Sequence, residues 1–423
     1  MKKKIFFSLT FILFILQSCT KEKCTEIVEG YTYTPVHAPM ATLRTVNIEP
    51  AKAITSNGKI FIKGNYIFLN ELNKGFHIIN NTNPSAPQRI AFVSVPGNID
   101  LIANGNYLFA DNYVDLLTFD ISNPANIQLV SRTESVLPFR QYGFGLNDNA
   151  TQGIIVSFEK KFEKKQMDCN TFNGWKSSRD NAVFLTTSSS GPSVASPSNV
   201  LGGTNGQAGS FSRFAQINNY LYVGNDRSIT PIDITNPIAP AVKPLINSPE
   251  IETMYAFNNV ILAGGPNGMY IYNLTNPASP SLQGSFFHWR GCDPVVAQNN
   301  VAYVTVRGGA ESRCGGSRNI LQVIDISNFN NPTLIKTYEM QHPFGVGIFN
   351  NKLGVCDGTA GFKIYDASVS NNLQLKNTIS SINAYDVIMN NETALLVAKD
   401  GVYQYNITNA SSPILLSKIN ITP

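Results

Sequence analysis

The chain has 423 residues, with 32 basic against 28 acidic side chains and a formal net charge of +4, which falls to about +1 once Lys2, Lys3 and Lys4 are set aside. So weak a field excludes general attraction to phosphate backbones, and no nucleic-acid partner is expected. Charged residues make up only 14%, while 31 glycines, 23 prolines and many β-branched runs point to an all-β protein outside the cytoplasm.

Lys2 to Lys4 form a basic start, and Ile5 to Leu16 is an apolar run too short to span a bilayer. Leu16-Gln17-Ser18-Cys19 then matches the bacterial lipobox, in which a small residue precedes a cysteine that receives lipid. Residues 1–18 are therefore expected to be a lipoprotein signal peptide, with Cys19 as the lipidation site. Residues 19–54 read as a lipidated tether and N-terminal extension. Lipid at Cys19 would anchor the protein to a membrane of the bacterial cell envelope, with the outer membrane the expected one.

From residue 55 to 423 a phrase recurs about every 41 residues: a Gly-Asn or Asn-Asn pair, two short apolar strands and a polar close, often Asn-Pro. The second residue of the pair falls at Asn65, Asn106, Asn219, Asn259, Asn300, Asn351 and Asn391. The gap between Asn106 and Asn219 approaches three periods, which places a hidden copy near Asn147. Each repeat reads as four antiparallel strands, A to D, with Gly and Asn tolerating the positive φ of a tight A–B turn. The Asn-Pro pairs at 83–84, 123–124, 236–237 and 276–277 separate C from D, because proline within a strand would remove a ladder hydrogen bond. The expected fold is a single β-propeller of four-stranded blades. Eight blades are favoured, one of them degenerate, with seven blades and a long excursion as the alternative. Loop insertions are expected near 159–208 and 307–318.

The third strands carry a further signal. Leu321-Gln322-Val323-Ile324-Asp325-Ile326-Ser327, Leu117-Thr118-Phe119-Asp120-Ile121-Ser122 and Pro231-Ile232-Asp233-Ile234-Thr235 resemble the LVIVD repeat of bacterial and archaeal surface propellers. Weaker copies begin at Tyr270, Phe362 and Tyr403, and Phe76-His77-Ile78-Ile79-Asn80 departs furthest, having lost the acid. The resemblance implies the propeller architecture and brings no catalytic motif.

In such blades the B–C and D–A connections share one face, and the long excursions fall there. Loops on a rigid scaffold are where binding concentrates. Both tryptophans, Trp175 and Trp289, map to this face, and Trp289 is flanked by His288 and Arg290. An aromatic plane beside a cation suits a sugar ring or a peptide side chain, although both rings could equally cap the core beneath their loops. At the channel mouth the repeat register places Asp100 and Arg213, with Asp293 and Asp386 adjacent and His342 near the loop face. Such a ring could hold a small polar ligand, or a hard cation such as Ca²⁺ through its carboxylates. The plainer reading is a wet channel in which Lys59 and Arg213 pair with the acids. No paired-His or Cys-x-x-Cys spacing suggests zinc, and neither a resident metal nor a cofactor is expected. Cys292 and Cys314 flank one loop of the same repeat and are the candidate disulfide.

Two functions from different classes follow. The first is a lipid-anchored envelope propeller that binds a protein, peptide or glycan through its B–C/D–A face. The second is a hydrolase or lyase acting on a carbohydrate or ester through acids at the channel mouth.

Overall fold

The computed structural model describes residues 25–168, 183–184 and 207–422, apart from 57, 144–145, 211, 226, 293, 310–315 and 391. It divides into two units. The larger is a ring of seven antiparallel sheets. Blade 1 spans Ile60–Lys63, Tyr66–Glu71, Gly75–Asn80 and Gln88–Ser94, and blade 2 runs from Leu101–Asn104 to Gln128–Thr133. Blade 3 begins at Phe214–Ile217 and ends in two short pieces, Ala241–Val242 and Ile246–Asn247. Blades 4 to 7 begin at Thr253–Phe257, Val295–Gln298, Val346–Phe349 and Ala384–Asn390, and the last closes at Ile414–Asn420. Seven, not eight, is the blade number.

The hidden copy near Asn147 is not a blade. Its supposed second strand is part of Ile154–Asp168, which pairs instead with Thr25–Ala38 in a three-stranded sheet completed by Val183–Phe184. That sheet is the smaller unit. Its pairing is sealed by Tyr31 against Phe162, Lys160 over Tyr31, and Thr32 Oγ1 donating to Glu163 at 2.8 Å. Lys161 and Lys165 flank the Glu163 carboxylate, and these hydrogen bonds with that of Thr32 hold it down at about 2. The expected excursion from Glu159 is thus partly a strand. Near-integral spacing misled because a period records length, whereas a blade also needs neighbours on both sides to bury its faces.

Local chemistry explains the repeat. At the A–B turns Gly64 and Gly105 and Asn218, Asn258, Asn299 and Asn350 all have left-handed φ, between 46° and 56°, which Gly and Asn adopt at least cost. The acid of each third strand turns the chain: Asp120, Asp233, Asp325 and Asp366 each accept the backbone N–H two residues on, at 2.8 to 3.0 Å. Asn80, Asn273 and Asn406 do the same. Only an acceptor is needed there, so Asn replaces Asp in three blades and the repeat acid is a turn device. The bonds lower all four aspartates, Asp366 to about 2. Six of the seven C–D pairings also carry a register shift, which adds twist to the outer strand.

The core lies between blades, where inward faces of adjacent sheets interdigitate. No strand is shared where the ring closes. Ile60, Ile62, Ile67 and Ile79 of blade 1 pack on Ile388, Leu395 and Val397 of blade 7, with Ile54 bridged to Ile421. Asn81 and Gln404 exchange two amide hydrogen bonds of 2.8 Å across the same seam.

Candidate functional site

The centre of the ring is filled by the chain itself. Gln207–Ala208 adds to the inner edge of blade 1 opposite Ile62 and Phe61, and Gly209 N–H donates to the Ile60 carbonyl. Ser210 Oγ donates to Asp386 of blade 7 at 3.1 Å and accepts from Val346 N–H of blade 6 at 2.9 Å. Ser212 Oγ donates to Asp100 of blade 2, and its carbonyl accepts from Met254 of blade 4. Ser210 and Ser212 are fully buried. Residues 207–212 therefore touch five blades and plug the axis at the B–C/D–A mouth. The loop insertion expected near 159–208 was assigned to this face; the segment at its end is a core element.

The plug decides what the expected acid ring does. Asp100 Oδ2 accepts from Ser212 Oγ, Arg213 N–H and Phe214 N–H at 2.5 to 3.1 Å. Lys59 Nζ stands 3.0 Å from the same oxygen in an ion pair. Both side chains are at most 5% exposed, and burial lowers the Lys59 ammonium against the pull of Asp100. Asp386 accepts through Oδ1 from Ser210 and from Val387 N–H, while Oδ2 has no hydrogen-bond partner among the described residues. Burial drives Asp386 up to about 7, against those bonds. Arg213 lines a cavity of about 40 Å³ with Asp100, Asp111 and Arg140, room for roughly one to three waters. Asp293 lies outside the described residues. The channel acids are thus committed to holding the plug, and the described residues contain no group of three or more carboxylate, His or Cys side chains placed to hold a metal ion.

The loop face between blades 4 and 5 is different. The last strand of blade 4, Ser281–Phe287, ends with Phe286 packed inward and Phe287 turned out, 69% exposed. Trp289 follows at 67%. His288 Nδ1 lies 2.6 Å from the Trp289 carbonyl, and Arg290 is exposed. The guanidinium of Arg318, from the B–C connection of blade 5, stands 6.0 Å from the Trp289 ring. These two connections are joined by the Cys292–Arg307 bridge, with N···O distances of 3.1 Å both ways. Cys292 is disulfide-bonded; Cys314, its expected partner, lies outside the described residues, as do Cys19 and Trp175.

Arg307 carries the surface on to the next blade. Its guanidinium lies 4.4 Å from the Phe344 ring, which is flanked edge-on by His342 and by Tyr385, each with centroids 5.1 Å away. His342 is half-buried and its backbone N–H donates to Asp357. The structure therefore groups His288, Trp289 and Arg290 on one shoulder, places His342 on the neighbouring one, and withdraws Asp100 and Asp386 to the interior. Phe287, Arg307, Arg318 and Phe344 were missed. The pleat of Gly284-Ser285-Phe286-Phe287 was the available sign, since two successive aromatics in a strand cannot both face the core.

With the blades and their turn acids in place, the family comparison is decisive for the repeat. A model of the LVIVD repeat matches residues 56–93, 99–134, 208–247 and 315–340. The chain carries LVIVD repeats. Three of the four matches coincide with blades 1, 2 and 3, and the fourth covers the outer half of blade 5. The LVIVD match includes the blade in which Asn80 stands for the acid. No curated protein matches the sequence. Among solved structures the chain is similar to the computationally designed Ika8 protein, at 10% identity over 88% of this chain and 90% of that one, TM-score 0.49. It is also similar to Hsv2 of Kluyveromyces lactis (10% identity, 87% and 100% covered, TM-score 0.47). Sqt1 of Saccharomyces cerevisiae is a third (8%, 90% and 86%, TM-score 0.47).

Proposed function

We propose that this protein is a lipid-anchored propeller of the bacterial cell envelope that binds a protein, peptide or glycan through its B–C/D–A face. The observation that carries the reading is Phe287 and Trp289, two residues apart and each about two-thirds exposed, with Arg318 beside the indole. Exposing two large aromatic rings on a rigid rim costs solvation that a buried alternative would avoid, and such rings with an arginine are the usual anchors of binding surfaces. Cys19, after its lipobox, supplies the anchor, with the outer membrane as the expected location. The competing hydrolase or lyase reading is the less favoured one, because two of its acids, Asp100 and Asp386, are bound to the plug.

The test is capture from envelope extract with the full chain, beside Phe287→Ala/Trp289→Ala and Cys19→Ser variants. Wild type is expected to retain a partner that the folded double variant loses, and to incorporate fatty-acid label that Cys19→Ser does not. Equal retention by the double variant would move the binding surface elsewhere. Label persisting in Cys19→Ser would remove the anchor.

A further inference from the structure

The opposite mouth of the ring has a cavity that the aromatic face does not explain. The A–B turns of blades 4, 5 and 6 surround about 350 Å³. Five amide residues line it, Asn258, Gln298, Asn299, Asn300 and Asn350, together with half-buried Phe349 and buried Phe257. None of these seven residues is ionisable. An ion entering would find no countercharge, and an apolar ligand would strip water from five amides without replacing its hydrogen bonds. A ligand whose groups both donate and accept fits instead, because each amide offers two donors and an acceptor oxygen.

The turn itself does not require the amides, although blade 3 has Asn218 at the same position outside the cavity. Blades 1 and 2 form the same left-handed position with Gly64 and Gly105, at φ 54° and 56°. Asn258, Asn299 and Asn350 occupy it at 50°, 52° and 46°, so the fold would accept glycine where the cavity has side chains. They are also held. Asn351 N–H donates to Gln298 Oε1 at 3.3 Å, and Asn351 Oδ1 accepts from Asn299 Nδ2 at 3.3 Å and from Gln298 Nε2 at 3.5 Å. Side chains fixed before a ligand arrives lose little entropy on binding it. The volume lies at the lower end of small-ligand pockets, ~300–1,000 Å³.

We propose that this A–B mouth is a binding site for a neutral saccharide of one or two rings, its hydroxyls taken by the amides and a ring face by phenylalanine. The site is independent of the aromatic patch, which lies on the other face. The experiment is saturation-transfer NMR on the full chain with glucose, galactose, mannose, N-acetylglucosamine and their disaccharides, and with methyl phosphate, whose methyl protons can be read, as an ionic control. At least one sugar is expected to receive saturation and phosphate to bind no more tightly than it. Asn258→Gly/Asn299→Gly preserves the φ values while deleting two amides, and should weaken binding about tenfold or more, the worth of one or two hydrogen bonds. Phe287→Ala/Trp289→Ala should leave it unchanged. The proposal fails if no sugar binds, if phosphate binds more tightly, if the glycine pair binds as wild type does, or if binding is lost with the aromatic pair instead.

Discussion

Asp386 is the residue whose environment is most at odds with its chemistry. Its carboxyl is 3% exposed and has one oxygen without a hydrogen-bond partner among the described residues, and burial carries it from 3.8 up to about 7. Between pH 4 and 7 the folded chain holds a proton there that the unfolded chain has released. This group therefore makes folding less favourable as pH rises through that window, and its effect is constant above 7. At about 1.4 kcal/mol per pH unit the change is on the order of 4 kcal/mol. Asp386→Asn keeps an acceptor for Ser210 and Val387 and abolishes the titration. Chemical denaturation at pH 4 and pH 7.5 should show the variant losing this falling contribution relative to wild type, and an identical pH dependence in the two chains would refute the assignment. The turn acids are the contrasting case. Asp120 and Asp325 end third strands at the surface, bond a neighbouring N–H, and are lowered. Sequence shows both kinds of aspartate alike; only the second kind announces itself by recurring.

Among the elements, the 207–212 plug is the one that no periodicity foretold. It has no repeat, no apolar alternation and a composition that reads as loop, yet its hydroxyls and backbone tie five blades together. Gly209 lets it pass: a Cβ built there would lie 2.1 Å from Asp386 Oδ2. Its φ is not left-handed, so alanine meets a clash without a backbone penalty. Gly209→Ala is expected to cost about 1–3 kcal/mol, the range for overpacking. In an Asp386→Ala background most of that cost should vanish, so a thermodynamic cycle over the four proteins gives a coupling above about 1 kcal/mol. Strictly additive effects would mean that the plug does not rest on Asp386. The blade strands, by contrast, follow from local rules. The LVIVD-like run from Leu321 lies in the strand Asn319–Asp325, paired with Val301–Arg307, because alternation and turn residues at both ends leave little choice of register.

The ring as a whole depends on a seam that no strand crosses. Blades 7 and 1 meet through aliphatic packing around Ile388, the Ile54–Ile421 bridge and the Asn81–Gln404 amide pair. Ile388→Ala deletes a fully buried side chain and should cost about 2–5 kcal/mol. Because every blade leans on both neighbours, the ring's thermal transition is expected to shift down as one unit. A variant in which blades 1 and 7 melt separately from the rest would show that the seam is not what makes the ring cooperative.

What the sequence determined by itself was everything written repeatedly: the β class, the four-stranded blade, the Gly or Asn turns, the turn acids and the LVIVD strands. Each depends on contacts within a few residues or between adjacent strands, so each leaves a local mark in every copy. The blade count, the plug and the fate of Asp100, Asp386, Phe287 and Arg318 were decided only in three dimensions. Closure is a condition on the angle between blades, which no single repeat carries. The stretch around Asn147 has a spacing close to that of a blade, but its long strand pairs with Thr25–Ala38. Burial, likewise, depends on what lies opposite a side chain, and for the channel acids that was a segment 112 residues away in one case and 176 in the other.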